Sequence, residues 1–484
     1  MNTSLKKVIR IEANVLIVLA IAMLCPMLLA LAYGEIAARN AFLITSGLSC
    51  IIGIAILLFT GPAHTKLKAR DSFLVVSLSW LVLILVGAAP FYISGAIPSI
   101  TDALFESCSG FTTTGANIVT GISALPVSII FWRSLTEWLG GMGIIVFVMM
   151  MLPILGSSGQ ISASLDMSPA AGGKLFARFS DSAINLLKIY IFFTIAEAML
   201  LICGGLEPID SLMATFGTVS TGGFSAQTGS FINASGYVKA IILIFMLLSG
   251  INYNLYFSLR RGIKAFFKDG ELKFYLGIIC VASILIFIAN RIELGSSASI
   301  FDSFFQTISV MSTTGFVSTD YTHWSAFSVM TLFCLFFFGG SSCSAASGIK
   351  CIRILVSLKL IRRSVSLKLH PNRIAPLTLG GGEVATDVVI NITNFIFTYI
   401  ALAFAGILLL SLDNLDFETT ISACISCIAN IGLGFGQIGA SHDFSCFSSF
   451  GKFVCMALMI VGRLGVVTVI ALFSKYYRHS NKVR

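Results

Sequence analysis

Four short segments of the chain share an arrangement of residues that could hold a cation. In each, an Asp precedes an apolar stretch that ends in a turn rich in Thr, Ser and Gly. The segments are Asp102–Gly115, Asp210–Gly223, Asp302–Gly315 and Asp416–Gly432. Consecutive main-chain carbonyl groups can replace the water shell of an alkali metal ion, and glycine permits the dihedral angles that turn these groups inward. Four such turns in one chain predict a ring of carbonyl oxygens around a dehydrated potassium ion.

We expect this ion-binding site to consist of the final glycine of each segment and the two residues before it. These residues are Thr113, Thr114 and Gly115; Thr221, Gly222 and Gly223; Thr313, Thr314 and Gly315; and Asn430, Ile431 and Gly432. Thr hydroxyls could add oxygen ligands or brace the turns. Clusters of Ser, Thr and Gly also serve ordinary packing between membrane helices. Four clusters that each follow an Asp favour the ion site over packing.

The composition requires that the elements carrying these turns lie in a membrane. Of the 484 residues, 56% are hydrophobic and 11% are charged, which is more apolar surface than a soluble protein of this length can bury. We identify ten apolar runs long enough to cross a bilayer. They are residues 11–33, 41–60, 72–95, 126–153, 183–205, 237–259, 273–291, 323–349, 384–411 and 450–474. The sequence therefore predicts an all-α, multi-pass integral membrane protein.

The basic residues predict the orientation of these runs. Most Lys and Arg residues fall in six alternate segments, which all lie on one side if there are ten crossings. Because basic loops stay in the cytoplasm, we expect both termini to be cytoplasmic and the four Asp-led segments to begin on the opposite face. The net charge of +9 is thus a signal of topology, and no nucleic-acid partner is expected.

The repeat predicts four units of spanning helix, re-entrant pore loop and spanning helix around one pore. The units cover residues 72–153, 183–265, 273–362 and 384–477, and residues 1–60 form a preceding helical pair. The stretch from Asp102 to Thr112 is about 16 Å of helix, roughly half the thickness of the hydrocarbon core, so it must turn back. The Asp suits the helix N-terminus as a cap and through its charge. The C-terminal end then directs partial negative charge toward the centre.

A polar stretch within the eighth run predicts a break at membrane depth. It consists of Gly339, Gly340, Ser341, Ser342, Cys343, Ser344, Ala345, Ala346, Ser347 and Gly348. These residues have poor helix propensity. We favour a loop that hangs beneath the carbonyl ring and acts as a gate. The alternative is a Ser-rich helix packed closely on its neighbours.

Three charged residues in the spans also need an explanation. Arg463 is isolated within Met456–Phe473, and since a charge near the bilayer centre is costly, it should face a cavity or a partner. It could repel cations below the ring or bind carbonyls of the loop 339–348, and the two roles are compatible. Arg133 and Glu137, four residues apart, are predicted to form an interfacial pair that orients their span.

Three motifs are similar to one family, the TrkH/TrkG branch of the bacterial potassium transporters, which is related to KtrB. They are Phe131–Val146, Phe216–Ser225 and Asn430–Gly432, and the resemblance extends over essentially the whole chain. It implies a homodimer with one ion pathway per protomer and a cytoplasmic ring of nucleotide-binding TrkA-type regulatory subunits. It also implies potassium selectivity, because all four filter positions are Gly. The segment Ser341–Ser347 contains less Gly than the corresponding loop of relatives.

Our hypothesis is potassium-selective uptake across the bacterial inner (cytoplasmic) membrane, through a carbonyl-lined filter gated by the loop and by a cytoplasmic subunit. The alternative is a proton- or sodium-coupled potassium symporter of the same architecture, with Glu197 as its main intramembrane carboxylate. We expect the lipid bilayer as surroundings, the potassium ion at the filter and no organic cofactor. An enzyme is not expected, since a serine protease built on 341–347 would need a nearby His base, and His323 lies near the far membrane face.

Overall fold

The computed structural model describes residues 3–61, 69–151, 179–259, 262–295, 299–372, 376–379, 382–440 and 442–465. The helices in these residues are α1 (Thr3–Ala22), α2 (Leu24–Ala32), α3 (Ile36–Thr60), α4 (Ala69–Ile93), α5 (Ile100–Phe111), α6 (Val127–Met151), α7 (Phe179–Cys203), α8 (Pro208–Ser220), α9 (Gly236–Ser249), α10 (Tyr253–Ser258), α11 (Ile263–Phe266), α12 (Gly270–Leu294), α13 (Ile300–Met311), α14 (Ala326–Leu335), α15 (Cys351–Leu369), α16 (Thr386–Leu410), α17 (Phe417–Ala429) and α18 (Ser449–Leu464). A two-residue hairpin pairs β1 (Thr378–Leu379) with β2 (Gly382–Glu383). The predicted all-α class is confirmed.

Six helical segments of the described part are long and apolar enough to span a membrane. They are Leu5–Ala32, Ile36–Thr60, Phe73–Ile93, Ile184–Cys203, Gly270–Glu293 and Thr386–Asp413. The predicted runs 126–153 and 450–474 coincide with α6 and α18, and both extend into residues outside the described part. The other two runs are interrupted. The run 323–349 loses its helix after Leu335, as predicted, whereas the break in 237–259 after Ser249 was not predicted.

The N-terminal helical pair is fixed to the first unit by a carboxylate. Glu35, just before α3, accepts hydrogen bonds from the main-chain N–H groups of Val127 (2.6 Å) and Ser128 (3.1 Å). The first N–H groups of a helix have no partner within it, so Glu35 caps α6. At the other end of the pair, the Arg10 guanidinium donates to the carbonyl oxygen of Gly61 (2.6 Å).

Each of the four units places a short buried helix between a 25-residue helix and a second helical segment. These pore helices are α5, α8, α13 and α17, with 12, 13, 12 and 13 residues, and a helix of that length is about 18–20 Å long. The re-entrant architecture is therefore observed. Some residues of the predicted helical pair and of the four predicted units lie outside the described part, as does the C-terminal end. They are residues 1–2, 152–153, 260–261, 296–298, 441 and 466–477.

The predicted role of Asp as the cap of each pore helix is wrong for the first three. Ser99 caps α5 and Ser299 caps α13, each accepting from the N–H three residues on, and Glu207 precedes α8 without a side-chain cap. The Asp in these helices lies in the first turn. Only Asp416 is itself a cap, with its carboxylate accepting from the Thr419 N–H (2.9 Å). Asp416 thus corresponds to Ser99, which explains its longer distance to the following Gly.

Close packing against the pore helices depends on glycine in the second span of units one and four. A Cβ atom added at Gly140 would overlap the carbonyl oxygen of Phe111, and one at Gly462 would overlap that of Ile428. Small residues let the backbones of membrane helices approach closely. Here they bring α6 and α18 against the C-terminal ends of α5 and α17.

Candidate ion-binding site

All four pore helices end in the same hydrogen-bonded turn. The N–H groups of Thr114, Gly222, Thr314 and Ile431 each donate to the carbonyl oxygen five residues earlier, at 2.8–3.0 Å. The residue before each of these donates to the carbonyl oxygen three residues earlier, at 2.9–3.3 Å. This pair of bonds is the Schellman motif, which satisfies the free carbonyls at the end of a helix. The sequences Thr-Thr-Gly, Thr-Gly-Gly and Asn-Ile-Gly therefore all adopt one backbone path.

The dihedral angles repeat along the four turns as well. The first residue of each is left-handed, with φ of 49° at Thr113, 56° at Thr221, 56° at Thr313 and 54° at Asn430. Two residues later comes a glycine with positive φ, at 73° for Gly115, 94° for Gly223, 81° for Gly315 and 79° for Gly432. A left-handed residue other than Gly costs about 1–3 kcal/mol and is typical of functional loops. Such strain in all four turns indicates a shared functional constraint.

The four turns meet in a closed ring. A Cβ atom added at Gly115 would overlap the carbonyl oxygen of Gly222, and one at Gly223 would overlap that of Thr314. In the same way Gly315 faces the carbonyl oxygen of Ile431, and Gly432 faces that of Thr114. The contacts therefore run from the first turn to the second, third and fourth turns and back to the first, which closes the ring. The structure brings together all twelve predicted site residues, and the residue before each final glycine contributes the facing carbonyl.

The hydroxyl groups next to the ring mostly brace the turns. Thr112 and Thr114 share a hydrogen bond (2.8 Å), and Ser312 and Thr314 share another (2.7 Å). The Asn430 amide donates to the Thr114 hydroxyl (2.9 Å), which joins the fourth turn to the first. Of the two roles considered for Thr hydroxyls, the structure favours bracing for Thr114 and Thr314.

The predicted interfacial pair of Arg133 and Glu137 is wrong, because both residues are fully buried beside the ring and Arg133 pairs with another carboxylate. The Arg133 Nε forms an ion pair with Glu106 of the first pore helix. The other Glu106 oxygen accepts from the Ile118 N–H (3.1 Å). The Arg133 guanidinium also donates to the carbonyl oxygen of Ser225 (3.3 Å). It therefore joins the first pore helix to the segment after the second turn.

Glu137 contacts the second turn rather than a membrane surface. One of its carboxylate oxygens accepts from the Phe224 N–H (2.9 Å), and a Cβ atom added at Gly222 would overlap the carboxyl group. The local spacing of four residues suggested a pair with Arg133. The tertiary packing instead pairs Arg133 with Glu106, and it places both side chains against Phe224 after the second turn.

The segment Gly339–Gly348 is a loop, as favoured from the sequence, so the alternative of a packed helix is wrong. Its ends are held together where the Gly339 N–H donates to the carbonyl oxygen of Ile349 (2.8 Å). The Ser347 N–H donates to the hydroxyl of Thr313 (2.9 Å), the left-handed residue of the third turn. The loop is thus attached directly to the candidate ion site. Its action as a gate remains a prediction.

Arg463 is the second attachment of this loop. Its guanidinium donates to the carbonyl oxygen of Ala345 (3.0 Å) and to the Ser347 hydroxyl (2.6 Å), and it approaches the carbonyl oxygen of Gly140 at 3.5 Å. The side chain is 5% exposed. The predicted tie between Arg463 and the loop carbonyls is therefore observed. Its second predicted role, repelling cations below the ring, remains a prediction.

Further attachments of the loop were not predicted from the sequence, and two of them hold Ser341 and Ser342. Glu271, in the first turn of α12, accepts from the Ser342 N–H (2.7 Å), the Ser342 hydroxyl (2.9 Å) and the Ile352 N–H (3.2 Å). The carbonyl oxygen of Gly250 accepts from the Ser341 N–H (2.9 Å). A Glu in a first helical turn is ordinary, so only the long-range contact reveals its role. Gly250 lies in the unpredicted break after α9.

Comparison with known proteins identifies the family. The family model described as TrkH, a cation transport protein, matches residues 39–483. The chain belongs to the TrkH family. It is 33% identical over 481 residues to the Trk system potassium uptake protein TrkH of Escherichia coli K12, covering 97% of this chain and 98% of that protein. It is 31% identical over 490 residues to TrkG of the same strain, covering 99% and 100%. Proteins of this family are membrane transporters, so the chain is a transporter and not an enzyme.

A solved structure of the TrkH family has the same fold. The crystal structure of the potassium transporter TrkH from Vibrio parahaemolyticus matches with a TM-score of 0.88 and 31% sequence identity, covering 99% of this chain and 100% of that chain. The resemblance seen in the three sequence motifs is thereby confirmed. So is the predicted architecture of an all-α membrane protein with four pore-loop units.

The face of this TrkH-family protein on which the pore helices begin carries an acidic cavity of about 630 Å³. Its lining includes Asp416, Gln437, His442 and Asp443. The slight desolvation of the exposed Asp416 carboxyl group acts to raise its pKa, but hydrogen bonds from Thr419 and Gln437 outweigh it and hold the pKa below its usual value. The carboxylate is therefore ionised at neutral pH. Negative charge in a cavity on this face raises the local concentration of cations there.

Proposed function

We propose that the protein carries potassium ions inward across the bacterial cytoplasmic membrane through the ring of main-chain carbonyls. The observation that carries this proposal is the closed order in which each final glycine faces the carbonyl oxygen of the next turn. Two relatives about one-third identical over nearly their whole length are named potassium uptake proteins. The proposed filter residues are Thr113, Thr114, Gly115, Thr221, Gly222, Gly223, Thr313, Thr314, Gly315, Asn430, Ile431 and Gly432.

The physical basis of the proposal is the exchange of water for main-chain oxygen. Carbonyl oxygens that replace the hydration shell can discriminate potassium from sodium. All four pore helices end at the ring, so their C-terminal dipole ends add partial negative charge there. The membrane potential supplies about 2.3 kcal/mol per charge per 100 mV, which drives a monovalent cation inward without a coupled reaction.

The proposed gate is the loop Gly339–Gly348 together with Arg463. In the structure the loop is held to the third turn by Ser347 and to α18 by Arg463. Movement of the loop would have to break both contacts, so a cytoplasmic partner that pulls on α15 or α18 could open the pathway. We propose a TrkA-type, nucleotide-binding regulatory subunit as this partner. We also propose a homodimer in the lipid bilayer with both termini cytoplasmic.

The proposal is tested by ion flux into liposomes that contain the purified protein without partners. Wild type should take up potassium in preference to sodium. Gly115→Ser and Gly315→Ser should reduce that preference, since each adds a side chain against a facing carbonyl. Unchanged preference in both variants would remove the filter assignment. Absence of any potassium flux from wild type would remove the function itself.

A proton-coupled potassium symporter is the second candidate, and one observation favours it. Glu197 lies in the spanning helix α7 and is fully buried, with the Thr218 hydroxyl of the second pore helix beside its carboxyl group. Buried ionisable groups within spans are typical of proton relays. The two candidates differ in the reversal potential. A potential that follows potassium alone excludes coupling, whereas one that also shifts with pH supports it.

A further inference from the structure

The second turn of the ring lacks the hydroxyl brace that the first and third turns have. In the first and third turns, the residue that contributes the ring carbonyl is Thr114 or Thr314, and its hydroxyl is bonded to the residue two positions earlier. The fourth turn is fixed by Asn430, whose amide donates to the carbonyl oxygen of Met459 (2.9 Å) and to Thr114. In the second turn the equivalent residue is Gly222, which has no side chain to form such a bond.

Glu137 of α6 occupies the position behind that turn. A Cβ atom added at Gly222 would lie 2.6 Å from Oε2 and 2.7 Å from Oε1 of Glu137. A Cβ atom added at Gly217 would lie 3.3 Å from Oε2. The carbonyl oxygen of Gly217 accepts the Gly222 N–H in the Schellman motif of this turn. The carboxylate therefore packs directly on the back of the residue whose carbonyl oxygen faces Gly115. Only Gly222 itself separates Glu137 from the ring.

Two residues of α6 contact Phe224, one at its main-chain N–H group and the other at its ring. The Phe224 N–H donates to the Glu137 carboxylate (2.9 Å). One helical turn earlier, the Arg133 guanidinium lies over the Phe224 ring, 4.1 Å from its centroid. Phe224 directly follows Gly223, the glycine that faces the carbonyl oxygen of Thr314. The contacts of Glu137 thus lie on both sides of Gly223, at Gly222 and at Phe224.

We propose that Glu137 is the positioning residue of the second pore turn and thereby sets ion discrimination in the ring. It supplies to the second turn, from α6, a side-chain hydrogen bond in place of those that Thr114, Thr314 and Asn430 form in the other three turns. Its Oε2 has no hydrogen-bond partner in the described residues, so the single acceptor contact to Phe224 and the packing on Gly222 define its role. The inference rests on the proposed potassium selectivity.

Two substitutions of similar size separate the acceptor from the volume it fills. Glu137→Gln keeps a carbonyl oxygen that can accept from Phe224, whereas Glu137→Met fills the space without an acceptor. We expect Glu137→Gln to keep the potassium-over-sodium permeability ratio within about twofold of wild type. We expect Glu137→Met to lower that ratio by about tenfold, equal to about 1.4 kcal/mol. Loss of one buried hydrogen bond accounts for an effect of this size.

The measurement is the permeability ratio from reversal potentials in liposomes, because a merely destabilised protein gives less flux at an unchanged ratio. Glu12→Met is the matched control, since Glu12 is a buried carboxylate of the N-terminal pair that accepts from Ser79 (3.0 Å). Its ratio should equal that of wild type. If Glu137→Met does not reach the membrane, Glu137→Ala is compared in the same way.

The outcomes distinguish this inference from the proposed function. A wild-type protein without potassium preference refutes the proposed function. A selective wild type whose Glu137→Met and Glu137→Ala variants keep the same ratio refutes the positioning role alone. Equal loss in Glu137→Gln and Glu137→Met also refutes it, because the retained acceptor should restore the ratio.

Discussion

The glycines of the ring can be tested by adding a single methyl group. In Gly115→Ala the new Cβ atom falls on the carbonyl oxygen of Gly222, and ordinary contact begins at 3.4 Å, so the two turns must separate by about 1 Å. The φ of +73° adds about 1–2 kcal/mol of backbone strain. A displacement of this size exceeds the difference in radius between potassium and sodium. We therefore expect the potassium preference to fall at least about tenfold, or about 1.4 kcal/mol.

The chain offers a matched control for the strain. Gly121 has nearly the same φ of +75°, but a Cβ atom added there meets nothing within 4 Å. Both Ala variants are compared with wild type by uptake of potassium and sodium into liposomes. Gly121→Ala should keep the wild-type preference. A Gly115→Ala protein that also keeps it would refute the ring assignment, and an equal loss in Gly121→Ala would show that strain alone explains the effect.

Two further predictions concern the buried arginines. Arg463→Met removes the donor to Ala345 and Ser347, so the loop should be held less tightly. The potassium flux into liposomes that contain the protein without a partner should then rise severalfold. Unchanged flux would contradict the gating role. Arg133→Met leaves the Glu106 carboxylate buried without its ion-pair partner, which should destabilise the protein by about 3–5 kcal/mol in thermal unfolding. The double variant with Glu106→Met should recover much of that loss, and a double variant as unstable as the single would contradict this account.

Features that depend on local backbone preference could be predicted from the sequence. The apolar runs identified the membrane, and the recurrent glycine after a Thr-rich or polar turn identified the four pore turns. The break at Gly339–Gly348 was predictable because ten consecutive residues there are poor helix formers. In each case the signal is the hydropathy, the glycine position or the helix propensity of one contiguous stretch of sequence, and that stretch adopts the predicted local structure.

Features that depend on contacts between distant segments could not be predicted in this way. Arg133 was assigned a partner four residues away, but its ion-pair partner Glu106 lies on another helix. Glu271 binds a loop about seventy residues later in the chain. The break after Ser249 carries only Gly250 and Asn252 as local signals, too few to outweigh the apolar residues around them.

The four turns show why such contacts are specific to each unit. A ring of carbonyls constrains φ at the first and third positions of a turn, which explains the left-handed Thr or Asn and the invariant glycine among the four. The middle residue contributes a main-chain carbonyl oxygen to the ring, so Thr, Gly and Ile are all compatible with that position. Each choice leaves a different need for bracing. The need for bracing is greatest at Gly222, because glycine has no side chain. The brace then comes from a separate helix, so the sequence of the turn itself does not reveal it.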